Sequence, residues 1–519
     1  GAPARVTDAA VAAGEPVQAL LQAVEFALAL LDLDAGAVLD GDAGDTYRDF
    51  LSDKKTRDDM LYVGANDGSL HAFNATEDGG AEAFTYFPNT VFDSLPALAD
   101  KDYSHQYYVD GQLEVADAFW SRTGTEQWGE ALVASTGAGP GSGEPAVFAL
   151  DVTRDAAEHD PNAALWELTG ADSSNLGHVL GEINIVRLNN GKFAAVFGNG
   201  YNSDDETASL FIVPLDDPSN RIVLDTGVGS ASNPNGLGGV STVDLQGNGV
   251  IDWIYAGDLQ GNMWRFDVTS SNTSNWSTQL LFEASGPDGE TQPITAAPRV
   301  TPHSQAEIEM NVLFGTGQYF AEGDNTIGSD PDVQSFYGIK DDGSTTTNNK
   351  TTALIQRGDL VEQSIQSQNA AGDPPTRKLS DNSVSADDDG WYIDLAFNGN
   401  ERGERVVDPA LLVGNRVFFL TQVPETAICD FGGRSWLMEM DAESGARTST
   451  SLIGNASGVD ADPAIGGVGL DQLATGLTGL PGADKVTIFT SLADGTVEDR
   501  QVENTGSNLS GRLSWRELR

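Results

Sequence analysis

Residues Met60 to Ala75 read MLYVGANDGSLHAFNA, and residues Trp253 to Thr269 read WIYAGDLQGNMWRFDVT. The two stretches align almost position for position without a gap, so that Tyr62 matches Tyr255, Gly64 matches Gly257, Gly68 matches Gly261 and Phe73 matches Phe266. Each contains an apolar run, a turn with glycine and a second apolar run, which is the pattern of a β-hairpin. The chain therefore carries a repeated hairpin unit, and such a repeat indicates the architecture of the whole molecule.

Looser copies of this unit recur along the chain, so that seven units start near residues 61, 132, 195, 253, 312, 417 and 486. One hairpin is too small to bury its own apolar face, so the copies must pack against one another. Radial closure into a propeller also protects the edges of the sheets. We predict an all-β fold, a modified β-propeller of about seven blades with irregular insertions. The longest interval, Lys340 to Gly390, is predicted to be a loop insertion on one propeller face.

The N-terminal residues differ from the rest of the chain. They are rich in Ala and Asp, and the apolar positions within residues 16–32 repeat with a helical period. We predict an acidic, partly helical segment over residues 1–57 and the propeller over residues 58–519. The most apolar run, Leu20 to Leu31, contains Glu25 and is too short to cross a bilayer, so no transmembrane segment is expected.

The composition narrows the classes of partner. The 519 residues include 78 Asp and Glu against 28 Lys and Arg, a net charge of −50. Nucleic acid is not an expected partner, because binding phosphates needs a basic surface. The 59 glycines and 21 prolines indicate a folded, turn-rich protein. The strong acidic excess favours a salty or extracellular medium, where counterions screen the self-repulsion. A single cysteine, Cys429, excludes an intrachain disulfide.

Residues 244–252, DLQGNGVID, match the start of an EF-hand calcium loop. The oxygen donors expected at loop positions 1, 3, 5, 7 and 9 are Asp244, Gln246, Asn248, the Val250 carbonyl and Asp252. Gly249 stands at the sharp-turn position, but Tyr255 stands where an EF-hand has its bidentate Glu. The spacing predicts a Ca²⁺ site, and an Asn-Gly hairpin turn with solvated polar side chains is an equal alternative on spacing alone.

Two further segments are weaker candidates. The stretch from Asp32 to Asp45 is acidic enough for a second metal site, although a solvated acidic loop is the favoured interpretation. The tripeptide Arg357-Gly358-Asp359 spells an integrin-recognition motif. Three-residue matches are common by chance, and the apolar residues on both sides favour an element packed onto a blade.

No catalytic constellation is recognisable in the sequence. None of the five histidines has HExxH spacing, and there is no GxSxG motif. We therefore predict that the protein is not an enzyme. The enzyme alternative is a quinoprotein-like propeller dehydrogenase, because such propellers share Gly- and Trp-rich blade repeats.

A series of motifs resembles a known family. In order along the chain they are YSHQYYVDG, VFALDVT, FGNGYNS, PITAAPRVTPH, LFGTGQYF, GWYIDL, GGRSWLMEMD and GRLSWREL. Their order resembles the C-terminal domain of the PilC/PilY family, which comprises type IV pilus tip-associated adhesins and biogenesis factors. The resemblance runs from about Tyr47 to Arg519.

The resemblance implies a calcium-binding propeller at the pilus tip (fimbrium) or the outer-membrane surface, reached by export through the periplasm. It implies roles in adhesion, twitching motility and pilus extension against retraction. The implied partners are the minor pilins of the tip complex and a host-cell or abiotic surface ligand. In the family, the loop that matches residues 244–252 is usually richer in Asp, so Gln246 and Asn248 are expected to weaken calcium affinity. A purely structural pilus-tip cap is the alternative.

Overall fold

The computed structural model describes residues 42–503 except 76–78, 123, 141–142, 154–162, 304–308, 322, 329–330, 345–349, 351–352, 373, 399–402, 426–431, 457–461, 463 and 483–484. The described residues form seven β-sheets and two α-helices. All neighbouring strands are antiparallel except one parallel pair in the fifth sheet.

The first four sheets follow the chain in simple order. The first contains β1 (Met60–Gly64), β2 (Leu70–Asn74) and β3 (Glu82–Tyr86). The second contains β4 (Leu113–Arg122), β5 (Thr125–Ser135), β6 (Ala146–Asp151) and β7 (Ala164–Thr169). The third contains β8 (Asn184–Arg187), β9 (Phe193–Gly198), β10 (Thr207–Pro214) and β11 (Ile222–Gly229). The fourth contains β12 (Leu237–Val243), β13 (Trp253–Asp258), β14 (Asn262–Asp267) and β15 (Ser277–Glu283).

The last three sheets are less regular. The fifth contains β16 (Arg299–Pro302), β17 (Met310–Gly315), β18 (Ser335–Asp341), β19 (Val361–Gln363) and β22 (Gly390–Asp394), with β22 between β18 and β19. The sixth has the spatial order β20 (Ile365–Asn369), β21 (Thr376–Leu379), β26 (Ile465–Leu470), β25 (Gly433–Asp441), β24 (Arg416–Pro424) and β23 (Leu411–Val413). The seventh contains β27 (Ala474–Pro481), β28 (Lys485–Leu492) and β29 (Val497–Glu503).

Six apolar clusters lie between consecutive sheets, and each cluster contains side chains from both neighbours. Between the second and third sheets, for example, the rings of Trp128 and Phe193 lie 5.6 Å apart. Between the fifth and sixth, Phe336 stacks on Phe419 at 4.0 Å. The predicted architecture, a seven-bladed β-propeller, is confirmed. All seven predicted start positions fall within strands, one in each sheet.

The two best-matched repeats are also equivalent in register. Leu61 lies opposite Phe73 in the first sheet, and Ile254 lies opposite Phe266 in the fourth. The aligned turn glycines, Gly68 and Gly261, both have a positive φ, of 100° and 80°. Glycine is favoured there because it has no Cβ to clash in the left-handed region. The repeat in the sequence is therefore a repeat of backbone geometry.

The segment Lys340 to Gly390 is not a plain loop insertion, so that prediction was wrong. It contributes β19, which runs parallel to β22, and the β20–β21 hairpin, which joins the sixth sheet through β26. The segment therefore links the fifth sheet to the sixth. Its strands gave little sequence signal because they are short and contain few buried apolar residues, Ile365 and Leu379 among them.

The α-helices are short. Helix α1 (Asp42–Lys54) lies against the second sheet. The Tyr47 ring is 4.4 Å from that of Trp128 in β5, and Lys54 bonds Asp117 in β4 at 2.7 Å. It includes residues up to Asp45 that we expected to be a loop. Helix α2 (Leu452–Ala456) lies against β26 and β29.

Other predictions for the N-terminal residues fall largely outside the described part of the chain. The helix expected over residues 16–32 lies outside it, as does most of the acidic stretch from Asp32 to Asp45. The domain boundary after residue 57 stays a prediction. Among the helices that the structure describes, none has both the length and the apolar composition needed to cross a membrane.

Candidate metal centre in the fourth sheet

Residues 244–252 connect β12 to β13 and lie against the third sheet. The Ile251 amide donates to the Arg187 carbonyl at 2.9 Å. The Asn189 side-chain amide donates to the carbonyls of Ile251 and Val268, at 2.9 and 3.1 Å. Two glycines of the loop have positive φ values of 66° and 75° and allow its tight turns. The loop is thus fixed at the boundary between two blades.

The two carboxylates of the loop are turned inward. Asp244 is 5% exposed and Asp252 is 1% exposed. Asp244 accepts hydrogen bonds from the backbone amides of Gln246 at 3.2 Å and Gly249 at 2.6 Å. Asp252 accepts one from the backbone amide of Leu245 at 2.9 Å. The backbone therefore wraps around its own carboxylates.

Among the described residues, these carboxylates have no cationic partner. Burial raises the pKa of Asp252, hydrogen bonds from Leu245 and Asn189 oppose this rise, and the charges of Asp244 and Asp267 add to it. Within residues 42–503, apart from the gaps given above, no Lys, Arg or His forms an ion pair with Asp244 or Asp252. Close, buried negative charges without compensation are costly, and a bound cation would remove that cost.

The remaining predicted donors lie in the same loop. Gln246 is exposed, and its Oε1 is 3.4 Å from Asn248 Nδ2. Asn248 Oδ1 accepts a hydrogen bond from the Val250 amide at 2.9 Å. The donors are hard oxygens, which suit Ca²⁺. In the described part of the chain, no group of three or more His, Cys, Asp or Glu could hold a metal ion, and this loop supplies only two carboxylates. The oxygen donors of the loop are of the type that binds Ca²⁺, but only two of them are charged.

Tyr255, at the position of the EF-hand glutamate, lies in the core. Its hydroxyl donates to Asp341 at 2.8 Å, and Asp341 is also bonded to the guanidinium of Arg265. Burial and the negative charge of Asp341 raise the pKa of Tyr255 well above its usual value. Tyr255 thus joins the fourth sheet to the fifth and does not serve as a calcium ligand.

The sequence analysis did not single out Asp258, a buried carboxylate at the end of β13 opposite to this loop. It is 0% exposed and accepts bonds from the side chains of Asn262, Trp264 and Asn235, each as close as 2.9 Å. It also accepts bonds from the backbone amides of Gln260 and Asn262. Asp258 thus accepts from five N–H groups, whereas Asp252 accepts from two, one of them at 3.4 Å. Two neighbours of the candidate site were also missed: Asn189, in the turn between β8 and β9, and Asp267, at the end of β14.

The Arg357-Gly358-Asp359 motif forms a 3-10 turn rather than an exposed recognition loop. The Arg357 guanidinium bonds both oxygens of Asp394, at 2.7 and 2.9 Å, and lies 3.9 Å from the ring centre of Tyr392. Only 16% of the Arg357 side chain is exposed. The arginine therefore fastens the fifth sheet and is not presented to a partner.

A serine, a histidine and a carboxylate meet in the first sheet, in a geometry that resembles a catalytic triad. Ser69 Oγ is 2.9 Å from His71 Nε2, and Glu82 Oε1 is 2.6 Å from His71 Nδ1. However, Asp67 accepts from Ser69 Oγ at 2.7 Å and lies 3.0 Å from His71 Nε2. Burial lowers the pKa of His71, but the bonds and charges of Glu82 and Asp67 outweigh this and raise it.

This arrangement does not activate the serine. The two carboxylates favour the protonated form of His71, in which neither ring nitrogen is free to accept the serine proton. Ser69 is also 0% exposed, which keeps it from any substrate. The cluster is a structural ion-pair network.

Known proteins share both the sequence and the fold. The family model for the PilY1 beta-propeller domain matches residues 37–374. A type IV pilus biogenesis factor PilY1 homolog of Xylella fastidiosa is 34% identical over 524 residues, covering 92% of this chain and 34% of the relative. Type IV pilus biogenesis factor PilY1 of Pseudomonas aeruginosa is 33% identical over 515 residues, covering 91% of this chain and 42% of the relative.

A solved structure agrees with these matches. The crystal structure of the Pseudomonas aeruginosa PilY1 C-terminal domain has a TM-score of 0.70 and 30% sequence identity, over 88% of this chain and 95% of that chain. The chain spans well under half the length of the two curated relatives, 34% and 42%. The expected resemblance is confirmed at the level of sequence, family model and fold: the chain belongs to the PilY1 family.

Proposed function

We propose that this chain is the calcium-binding propeller of a type IV pilus biogenesis factor and tip adhesin. In this role it supports pilus extension against retraction, twitching motility and surface attachment. The relatives named as pilus biogenesis factors support the first part of the proposal. We place the protein outside the cell, at the pilus tip or the outer-membrane surface, after export through the periplasm.

The observation that carries the calcium proposal is the loop at residues 244–252. Asp244 and Asp252 are buried close enough for the charge of one to raise the pKa of the other, and neither has an ion-pair partner among the described residues. Bound Ca²⁺ would supply the missing positive charge. Asp244, Gln246, Asn248, the Val250 carbonyl and Asp252 would hold it.

The loop would transmit calcium binding to two blades. It joins neighbouring strands of the fourth sheet and is fastened to the third by the Ile251 amide and the Asn189 side chain. An ion that holds the loop rigid would therefore hold this blade boundary rigid. We propose that the resulting surface contacts the minor pilins of the tip complex and a host-cell or abiotic surface ligand.

We propose that the protein has no enzymatic activity. The arrangement of described residues that most resembles a catalytic group is Ser69 with His71 and Glu82, and there the pKa of the histidine is raised and the serine is buried. The quinoprotein alternative predicts reduction of a dye by an alcohol after pyrroloquinoline quinone and Ca²⁺ are added, and we expect no such reduction. A purely structural tip cap would bind minor pilins but neither cells nor surfaces.

The test is complementation of a strain that lacks its own copy of the full-length protein. The strain receives either the natural gene, the Asp252→Ala variant or the Asp288→Asn variant, in which an exposed acidic turn residue is changed. We expect Asp252→Ala to reduce the number of surface pili and the twitching zone at equal protein level, and Asp288→Asn to behave as the natural protein. Normal pili and twitching with Asp252→Ala would contradict the proposal.

A further inference from the structure

A pocket lies between the second and third sheets, on the side of the calcium loop's blade boundary that faces the β4–β5 hairpin. Its volume is about 140 Å³. Residues of the β4–β5 hairpin form one wall, and residues around the β8–β9 turn form most of the other. The lining includes four aromatic residues, two bases and two acids. A cavity of about 150 Å³ is large enough to bind benzene, so this pocket has room for one ring.

Aromatic rings give the pocket an apolar interior. Trp128 of β5 lies opposite Phe119 of β4, and the centres of their rings are 5.4 Å apart. The Trp128 ring also lies 5.6 Å from the ring of Phe193 in β9. Trp128 and Phe193 are both buried, so they are held in place by their neighbours. The interior therefore suits the ring of a ligand, because aromatic rings pack well against one another.

Arg187, at the end of β8, lines this pocket without a partner of its own. It lies directly opposite Phe193, and directly opposite residues of antiparallel strands have their side chains on the same face of the sheet. Within the described part of the chain, its side chain forms no hydrogen bond or ion pair, whereas every other described arginine has a partner.

A free arginine is unexpected in a chain with 78 acidic and only 28 basic residues. A guanidinium group donates two parallel hydrogen bonds to a carboxylate, and it does so most effectively where water is partly excluded. Arg187 is half-buried beside an aromatic interior. It is therefore placed to bind the carboxylate of a ligand.

The remaining charges of the pocket leave one acid for a ligand. Lys192 is paired with Asp216 at 2.7 Å, so these two charges compensate each other. Glu126 is exposed at the rim, and among the residues that the structure describes it has neither an ion-pair nor a hydrogen-bond partner. Arg187 and Glu126 thus line one pocket with opposite charges, but they do not pair with each other. A ligand that compensates both has a negative and a positive group.

We propose that this pocket binds a free aromatic α-amino acid. The carboxylate of the ligand pairs with Arg187, and its ammonium group pairs with Glu126. Its ring lies beside those of Trp128 and Phe193, where the ammonium group also gains from the nearby aromatic faces. The ligand is a zwitterion without net charge, which matches a lining of two bases and two acids. This inference goes beyond the pilus function and does not depend on it.

Calorimetric titration of the purified chain with L-phenylalanine tests the proposal. Two analogues each lack one charge: 3-phenylpropionate has no ammonium group, and 2-phenylethylamine has no carboxylate. We expect L-phenylalanine to bind at least about tenfold more tightly than either analogue, because each analogue loses a hydrogen-bonded ion pair. Equal binding of the three compounds, or no binding of L-phenylalanine, would overturn the proposal. Tighter binding of glucuronate than of L-phenylalanine would assign the pocket to an acidic sugar and would also overturn it.

Point variants assign each charge of the ligand to a residue. We expect Arg187→Gln to weaken L-phenylalanine binding at least about tenfold and to leave 2-phenylethylamine binding unchanged. We expect Glu126→Gln to weaken L-phenylalanine binding but not 3-phenylpropionate binding. Arg447→Gln is the matched control, because it removes an arginine from a surface ion pair of the sixth sheet region and should bind as the natural protein. Undiminished L-phenylalanine binding by Arg187→Gln would contradict the proposal.

Thermal melts separate a loss of binding from a loss of folding. Because the Arg187 side chain has no partner among the described residues, Arg187→Gln should melt at the temperature of the natural protein when no ligand is present. Saturating L-phenylalanine should then raise the melting temperature of the natural protein and of Arg447→Gln, but not that of Arg187→Gln. The same rise in all three proteins would place the amino acid elsewhere and overturn the proposal.

Discussion

Asp252 and Asp258 lie six residues apart, and both are buried, but their environments differ. Asp258 accepts bonds from three side chains and two backbone amides. Asp252 accepts one hydrogen bond from a backbone amide and a long one, of 3.4 Å, from the side chain of Asn189. The negative charge of Asp244 also raises its pKa. Burial of a charge is tolerated where hydrogen bonds replace water. Asp258 meets that condition with five N–H groups, and for Asp252 the proposed Ca²⁺ would add to its two hydrogen bonds.

Asp252→Asn should therefore change stability in opposite directions with and without calcium. The folded pKa of Asp252 is raised, so the natural protein loses stability as the pH rises above the ordinary aspartate value of about 3.9. With chelator at neutral pH, we expect Asp252→Asn to be at least as stable as the natural protein. With saturating calcium, the natural protein should be the more stable of the two. Thermal melts in both conditions check this, and a lower stability of the variant in chelator would contradict it.

His71 should make the first sheet sensitive to pH. Its pKa is raised when folded, so its contribution is complete below the unfolded value of about 6.5 and is lost as the pH rises through the higher folded pKa. We expect the stability difference between the natural protein and His71→Gln to be largest at acidic pH and to vanish at alkaline pH. Urea melts from pH 5 to 9 measure it, with the exposed His105→Gln as control. A difference that grows with pH would contradict this assignment.

Arg357 should matter for folding rather than for recognition. Arg357→Ala leaves Asp394 without its guanidinium partner and should cost about 1.5–3 kcal/mol of unfolding free energy. Gly358→Ala also destroys the tripeptide, but a Cβ at Gly358 meets nothing within 4 Å, so stability should stay unchanged. Urea melts and binding to immobilised integrin test both variants. Integrin binding that is present in the natural protein and lost in Gly358→Ala would show that the motif is recognised.

At the scale of elements, hairpins with a strong apolar pattern were predictable and weakly patterned ones were not. The β13–β14 hairpin was predicted because its strands are almost wholly buried, and burial on both faces selects apolar residues throughout. The β20–β21 hairpin was not, because it is short and half-exposed. The five proposed calcium donors could be named from the sequence because one loop contains them, whereas Asn189 and Asp267 reach the loop only through tertiary packing.

Gly64 and Gly257 occupy the same position in the two repeated hairpins, and the structure shows why both are glycine. A Cβ on Gly257 would lie 2.2 Å from Ile294 Cγ2, and one on the aligned Gly64 would lie 2.6 Å from the Val109 carbonyl. In both blades the glycine allows the next segment of chain to approach the strand. The sequence alignment identifies the two positions, but the distant neighbours, Ile294 and Val109, are visible only in the fold.

Gly257→Ala should therefore destabilise the fourth sheet. The added methyl group overlaps Ile294, and overpacking of this kind costs about 1–3 kcal/mol. Gly328→Ala is the control, because a Cβ there meets nothing within 4 Å. Urea melts of the two variants check the expectation. Equal stability of Gly257→Ala and the natural protein would contradict it, because Ile294 could then move away from the added methyl group without lowering the unfolding free energy.

At the scale of the whole molecule, packing and charge act in opposite directions. Six interblade clusters hold the seven sheets together, while a net charge of −50 opposes compaction. Any dissolved salt, including a calcium salt, screens that repulsion. A specific effect of calcium must therefore be measured at constant ionic strength. Bound calcium at about 100 times its dissociation constant should add roughly 2.7 kcal/mol to the unfolding free energy of the unit that holds the loop.

Calorimetric titration of the purified chain with Ca²⁺ at constant ionic strength tests the account most directly. Because the loop has only two charged donors, we expect one site with a dissociation constant on the order of 10⁻⁴ to 10⁻³ M. Gln246→Asp adds a carboxylate and should bind more tightly, Asp288→Asn should bind as the natural protein, and Asp252→Ala should not bind. Undiminished calcium binding by Asp252→Ala would contradict the account and place the ion elsewhere.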